Sequence, residues 1–193
     1  VFGAVYDSIA SAIKTVLGLA SSALANVIRV IGATWSEVAS AIKYAFTATI
    51  NTVASILNGL GASFDSIATA VKTAFSAAAS AVASAIKAIG ATISQAASAL
   101  KSAFGTVYNT IASALKTAYS ATISSITSAL KALGAGVSAV ASALKAAAFG
   151  IVAIANAIWD AFTIGFDAFV DLLEAIGASA AQAFDIVWDF FFG

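Results

Sequence analysis

Nine basic residues occur in this chain of 193 residues, and all nine fall on one lattice: Lys14, Arg29, Lys43, Lys72, Lys87, Lys101, Lys116, Lys131 and Lys145. The gaps are 14 or 15 residues, except one of 29, where Asn58 fills the vacancy. The lattice then continues with its sign reversed at Asp160, Glu174 and Asp189, at gaps of 15, 14 and 15. A step of about 14.5 residues is four turns of an α-helix at ~3.6 residues per turn, so every lattice residue returns to nearly the same helical face. A regular helix is the simplest conformation that gives such spacing a purpose. The spacing therefore predicts an all-α chain of repeated amphipathic helices.

The residues around the lattice repeat with it. Counting back from the basic residue, a branched apolar side chain sits at −5 and −1, Ala at −4 and −2, and Ser or Thr at −3, as in 9–14 (IASAIK), 38–43 (VASAIK), 67–72 (IATAVK) and 111–116 (IASALK). A period of 29 is superimposed. Lys14, Lys43, Lys72 and Lys101 are followed at +3 by Leu17, Phe46, Phe75 and Phe104, whereas Arg29, Asn58 and Lys87 are followed there by Gly32, Gly61 and Gly90. The phase slips near Ile123, and Lys131 with Gly134 resumes the glycine type. Such self-similarity marks one supersecondary unit that is copied and stacked or extended.

Two architectures fit. In one, each 29-residue unit is a helix of about 25 residues, with its basic residue in the last turn and Gly at C′. Ser36, Asp65 or Ser94 would then form the next N-cap, and the helices stack as hairpins into a bundle. In the other, the glycines lie inside long continuous helices that associate laterally. Asn58 to Gly61 and Gly134 to Gly136 are the best break candidates in both.

Composition adds a constraint on surface. Apolar residues make up 61% of the chain and charged residues 9%, against roughly 45–50% and 25% in ordinary domains. That much apolar surface needs cover from the chain itself, from copies, from a surrounding tube, or from a lipid or air interface. Proline is absent, so nothing forbids long helices. The lack of Met points to a processed chain or a fragment. Net charge is zero but divided. Residues 1–145 carry nine basic and three acidic groups, and residues 146–193 carry six acidic groups and no basic one. The expected division is a basic repeat region, 1–149, and an acidic, aromatic-rich helical segment, 150–193.

Catalytic and cofactor chemistry find little here. The chain has no His and no Cys, and its serines lack a nearby general base. Lattice lysines one step apart lie ~21 Å apart along a helix and do not converge. Asp160, Asp167, Asp171 and Glu174 recur at helical spacing, but carboxylate metal sites in bundles normally add a His; a solvated or pairing acidic stripe is the simpler reading. No catalytic, cofactor or metal residue is assigned. One lysine per ~21 Å is also sparse against one DNA charge per ~1.7 Å, so nucleic acid is not expected. The lattice interrupts nearly every stretch that could reach the ~20 apolar residues of a membrane span. An amphipathic stripe bordered by lysine suits lying at an interface or packing in a bundle. The assembly surface is assigned to Lys14, Lys43, Lys72 and Lys101 on one side of their helices, with Phe46, Phe75 and Phe104 buried on another. Asp160, Glu174, Asp189 and Trp188 complete it in the acidic segment, where Phe190, Phe191 and Phe192 also crowd.

The run of such copies over residues 7–149, for example Val38 to Lys43 followed by Phe46, resembles the repeat region of tail tape-measure proteins of long-tailed phages. Those carry serial W/F-x-x-I-K units in hydrophobic helices threaded inside the tail tube. The resemblance implies a non-enzymatic structural protein, an enclosing tube protein as partner and a place in the virion tail lumen. Two other readings stay open. One is a secreted amphipathic protein acting at membranes or air–water interfaces, including pore formers. The other is a self-assembling helical filament, a homo-oligomer. In each, the acidic segment 153–193 is expected to dock on a basic segment of the same or a neighbouring chain.

Overall fold

The computed structural model describes residues 2–191, with side-chain surroundings from Val5 onward; Phe192 lies outside that range. Among the described residues there are thirteen helices and no strand: α1 (Phe2–Leu17), α2 (Ser21–Val30), α3 (Trp35–Phe46), α4 (Ile50–Gly59), α5 (Phe64–Phe75), α6 (Ala79–Ala88), α7 (Ile93–Phe104), α8 (Tyr108–Tyr119), α9 (Ile123–Ala132), α10 (Val137–Ala146), α11 (Ile151–Ala161), α12 (Phe166–Ala175) and α13 (Ala180–Phe191). The all-α expectation holds, and the stacked-hairpin form is the one adopted. The helix length does not hold. Each 29-residue period contains two helices of 10 and 12 residues, as in α4 and α5, in place of one of about 25.

Each lattice residue occupies the last turn of its own helix, from Lys14 in α1 to Asp189 in α13. The extra break is made by a different turn. After the glycine-type helices the chain turns at Gly32, Gly61 and Gly90, with φ between 83° and 100°. After α3, α5 and α8, which end in Phe46, Phe75 and Tyr119, it turns one residue later, at Thr47, Ser76 and Ser120, with φ of 51°, 50° and 51°, whereas after Leu17 and Phe104 the turn residue is Gly18 or Gly105. A hydroxyl residue thus takes the left-handed C′ conformation that glycine normally supplies, at a cost of about 1–2 kcal/mol. Glycine at Thr47, Ser76 or Ser120 is expected to raise stability by about 0.5–1 kcal/mol each, less than the full strain because glycine also loosens the unfolded chain. Chemical denaturation of the three single variants checks this.

The helix starts also differ from expectation. The N-caps are Thr34, Ser63 and Thr92, two residues before Ser36, Asp65 and Ser94. Their hydroxyls accept from the backbone N–H groups of Glu37, Ser66 and Gln95 at 3.2–3.3 Å. At Thr34 and Thr92 the bond is reciprocated by Glu37 and Gln95, completing capping boxes. Two donations from Thr34 to one Glu37 oxygen, both at 2.8 Å, hold that carboxyl below its ordinary range.

The chain forms two compact units, 1–105 and 106–193. In the first, α1, α3, α5 and α7 pack in one row and α2, α4 and α6 in a second, with successive helices packed across the rows. In the second, α8, α10 and α12 form one row and α9 and α11 another, and α13 packs on α12. The division falls where two 12-residue helices, α7 and α8, follow one another and interrupt the alternation. The sign change of the charge lattice lies inside the second unit, across the α10–α11 turn.

Four positions of each repeat make the core. Val38, Ala39, Ala41 and Ile42 are fully buried, as are Ile67, Ala68, Ala70 and Val71, and Ala96, Ala97, Ala99 and Leu100. Alanine at −4 and −2 is thus part of the contact between helices; it lets them approach while the branched residues fill the space between rows. In the second unit the core ends in an aromatic cluster. Phe169 is fully buried against Trp159 at 5.1 Å and Phe190 at 5.2 Å, edge to face.

Candidate functional site

The feature that recurs through the chain is a lysine staple. Lys43 in the last turn of α3 donates to the Ala74 carbonyl at the end of α5, 2.7 Å away, and its Nζ stands 4.9 Å from the centre of the Phe75 ring. Lys72 on α5 does the same to α7, with 2.6 Å to the Ala103 carbonyl and 4.8 Å to Phe104. Lys14 on α1 donates to Ala45 and covers Phe46 at 4.7 Å. In the second unit Lys116 of α8 donates to Ala147 at 2.6 Å and Ala148 at 3.0 Å and covers Phe149 at 4.2 Å. Lys131 of α9 donates to Ala161 and covers Phe162 at 5.0 Å. In each case a helix caps the one two places further along the chain, its neighbour in the same row.

The chemistry follows from what a helix end lacks. Its last carbonyls have no intrahelical donor, and aligned peptide dipoles leave partial negative charge there. An ammonium supplies both hydrogen and charge, and the ring below it adds a cation–π contact of about 0.5–1 kcal/mol at a partly exposed site. Arg29 uses the same elements locally, donating to the Ala33 carbonyl at 2.7 Å and stacking 4.5 Å from Trp35. Lys145 Nζ lies 3.3 Å from where a side-chain carbon would stand on Gly177, just past the end of α12.

This arrangement corrects one expectation. Phe46, Phe75 and Phe104 are half-buried, not buried: each meets the lysine of the preceding helix in its row, Lys14, Lys43 or Lys72, while Lys43 and Lys72 themselves reach the following helix. The helical wheel of a single helix could not show it, because lysine and ring belong to different helices, 32 residues apart. The signal was present as the match between two intervals: aromatic at +3 from the lattice, and lattice period of 29. Lys72→Met keeps the aliphatic stem and removes the charge. It is expected to cost about 1–2 kcal/mol, and a double-mutant cycle with Phe104→Leu should return a coupling of about 0.5–1 kcal/mol.

The acidic lattice residues are placed differently. Asp160, Glu174 and Asp189 are exposed in the last turns of α11, α12 and α13, where a negative charge meets the negative end of its own helix. Asp160 precedes Ala161, whose carbonyl takes Lys131, and Glu174 lies three residues before Gly177, beside Lys145. Asp167 and Asp171 share α12 with Glu174, and no group of three potential metal ligands occurs among the described residues. Trp188 is 52% exposed and stacks on Phe184, with ring centres 6.0 Å apart. Between α11 and α13, Asn156, Gln182, Asp185 and Phe190 help line an open cleft of about 330 Å³.

Among titrating side chains, burial pushes the Tyr119 phenol up from 10.0 to about 12. A raised folded pKa means that the stabilising contribution is complete below pH 10, the unfolded value, and is lost as pH rises toward 12. Wild-type stability should therefore fall over that window more steeply than that of Tyr119→Phe, by alkaline denaturation followed with circular dichroism.

No helix among the described residues is long and apolar enough to cross a membrane. Compared with known proteins, the chain matches no family model, no curated protein and no solved structure.

Proposed function

We propose that this chain is a non-enzymatic structural protein, tape-measure-like in one respect: the number of stacked helical hairpins is its working quantity. The observation that carries the reading is the staple repeated from α1 to α3, α3 to α5, α5 to α7, α8 to α10 and α9 to α11. Because every such staple joins neighbours in one row of one unit, a hairpin within a unit can be added or removed without altering the contacts of the rest. A sequence free of His and Cys supports a structural role over a catalytic one, as does the resemblance of its periodicity to tape-measure repeats. Its partners on this reading are copies of itself or an enclosing protein.

The test is to change the repeat number. Deleting residues 44–72 joins Lys43 to Thr73 and removes one 29-residue period. Helicity per residue should stay constant and the first unit should still unfold cooperatively, because the contacts removed on one side are remade by the next repeat. A duplication of the same period should behave in the same way, with stability rising and not falling. Loss of helicity or of cooperative unfolding in either variant would sink the proposal. A second reading, action at a lipid or air–water interface, draws support from exposed Val16, Leu17, Val27, Val30 and Ile31 on α1 and α2 and the turn after α2. It requires tryptophan emission and helicity to change on adding vesicles.

A further inference from the structure

Along the second unit a cation links helices two places apart until the lattice changes sign. Lys116 and Lys131 reach the ends of α10 and α11, and Lys145 stands beside Gly177 just past α12. On α11 the lattice residue is Asp160, so among the described residues no cation links α11 to α13. Between these two helices lies the cleft of about 330 Å³, a volume at the lower end of small-ligand sites.

The lining of the cleft is of two kinds. Val152, Ile186 and Phe190 make an apolar wall. The Phe190 ring is held against Phe169 at 5.2 Å and Trp159 at 5.4 Å, so that wall is fixed before any ligand arrives. Asp185 and Asp189 stand one turn apart on α13, which puts both carboxylates on one face, and Asn156 lines the cleft from α11. Among the described residues none of these three makes a hydrogen bond or an ion pair. Residues 146–193 contain no Lys and no Arg, so the carboxylate pair has no counter-ion in its own segment.

We infer that the α11–α13 cleft binds a small organic cation, a primary ammonium that carries an aromatic or branched apolar body. The ammonium donates to the Asp185 and Asp189 carboxylates and to the Asn156 side-chain carbonyl, and the body lies on Val152, Ile186 and Phe190. The Phe190 ring adds attraction for a cation that reaches its face. Each alternative fails on the same lining. An anion is repelled by two carboxylates. A hard metal ion wants about six or more oxygen ligands, and part of this wall is apolar. A neutral apolar ligand would strip water from the carboxylates and return no hydrogen bond. The site stands whether or not the number of hairpins is the working quantity of the chain.

The experiment titrates phenethylammonium into the full chain and follows backbone amide shifts by NMR. A dissociation constant on the order of 0.1–1 mM is expected for a probe of this size, with shifts concentrated in α11 and α13. Asp185→Asn with Asp189→Asn keeps the side-chain size and should weaken binding about tenfold or more. Asp171→Asn removes an exposed acid of α12 outside the cleft and should change it less than about twofold. Asn156→Asp adds a third carboxylate and should tighten binding; that gain decides the matter should the double variant fail to fold. Two further probes separate the parts of the ligand. 2-Phenylethanol keeps the ring without the charge, and Nα-acetyl-lysine amide keeps the charge without the ring. Both should bind several-fold more weakly. Equal binding of the alcohol would overturn the inference in favour of a plain apolar cleft, and tighter binding of the lysine analogue in favour of a protein partner. No saturable shift with phenethylammonium, shifts outside α11 and α13, or full affinity in a folded double variant would each overturn it outright.

Discussion

Phe169→Ala is expected to be among the most damaging substitutions in the second unit, lowering its stability by about 3–5 kcal/mol. The side chain is fully buried and packs edge to face on Trp159 and Phe190, with Phe191 at 6.2 Å. Truncation leaves a cavity among large rigid rings that cannot collapse into it. It also removes aromatic pair interactions of about 0.5–1.5 kcal/mol each. Because Trp159 is half-buried in the same cluster, its emission should shift to the red with the loss of stability. Phe166→Ala offers the contrast: that ring is 46% exposed and meets Phe191 at the cluster's margin, so its loss should cost less than half as much. Equal costs for the two would show that the cluster does not organise this unit.

Ile67→Asp should unfold the first unit. Ile67 is fully buried in α5, the helix that packs on α3, α4, α6 and α7. A carboxylate there has no partner and must either stay protonated or draw in water. The cost exceeds about 4 kcal/mol, a large share of the stability of a domain of this size. Hydrogen exchange should show protection lost across α3–α7 and kept in α8–α12. Retained protection in α3 and α7 would mean that neighbouring repeats are coupled far more weakly than their packing implies.

Much of this fold could be read from the chain. Each of the thirteen lattice positions, Asn58 included, falls in the last turn of one of the thirteen helices, although the lattice was read as one helix per 29 residues or as longer helices. The stripe at −5 and −1 correctly marked residues such as Val38 and Ile42 as core. What failed was the number of helices per period. Phe46-Thr47 and Phe75-Ser76 carry no glycine or proline, and alanine-rich flanks favour continuing the helix. Only a chain already turning back to pack recovers the strain of a left-handed Thr47 or Ser76, so no local rule could find those breaks. The caps at Thr34, Ser63 and Thr92 were missed for a smaller reason: each is followed within two residues by another good capping residue, and choosing between them requires knowing where the first turn begins.

The lysine staple marks the boundary between the two kinds of information. The sequence by itself determined the cation that ends nine of the thirteen helices, because four helical turns separate one lattice site from the next and a positive charge suits the carbonyl end of a helix. It also determined the amphipathic face, the alternation of turn types and the segregation of acid to the last helices. Tertiary structure decided what each cation touches. Lys43 could have capped its own helix, faced solvent or paired with an acid. Stacking α3 directly beside α5 brings its ammonium to the Ala74 carbonyl and the Phe75 ring. That pairing depends on the distance and register between two helices separated by a third, a quantity fixed by the fully buried alanines between them and not by any spacing along a single helix.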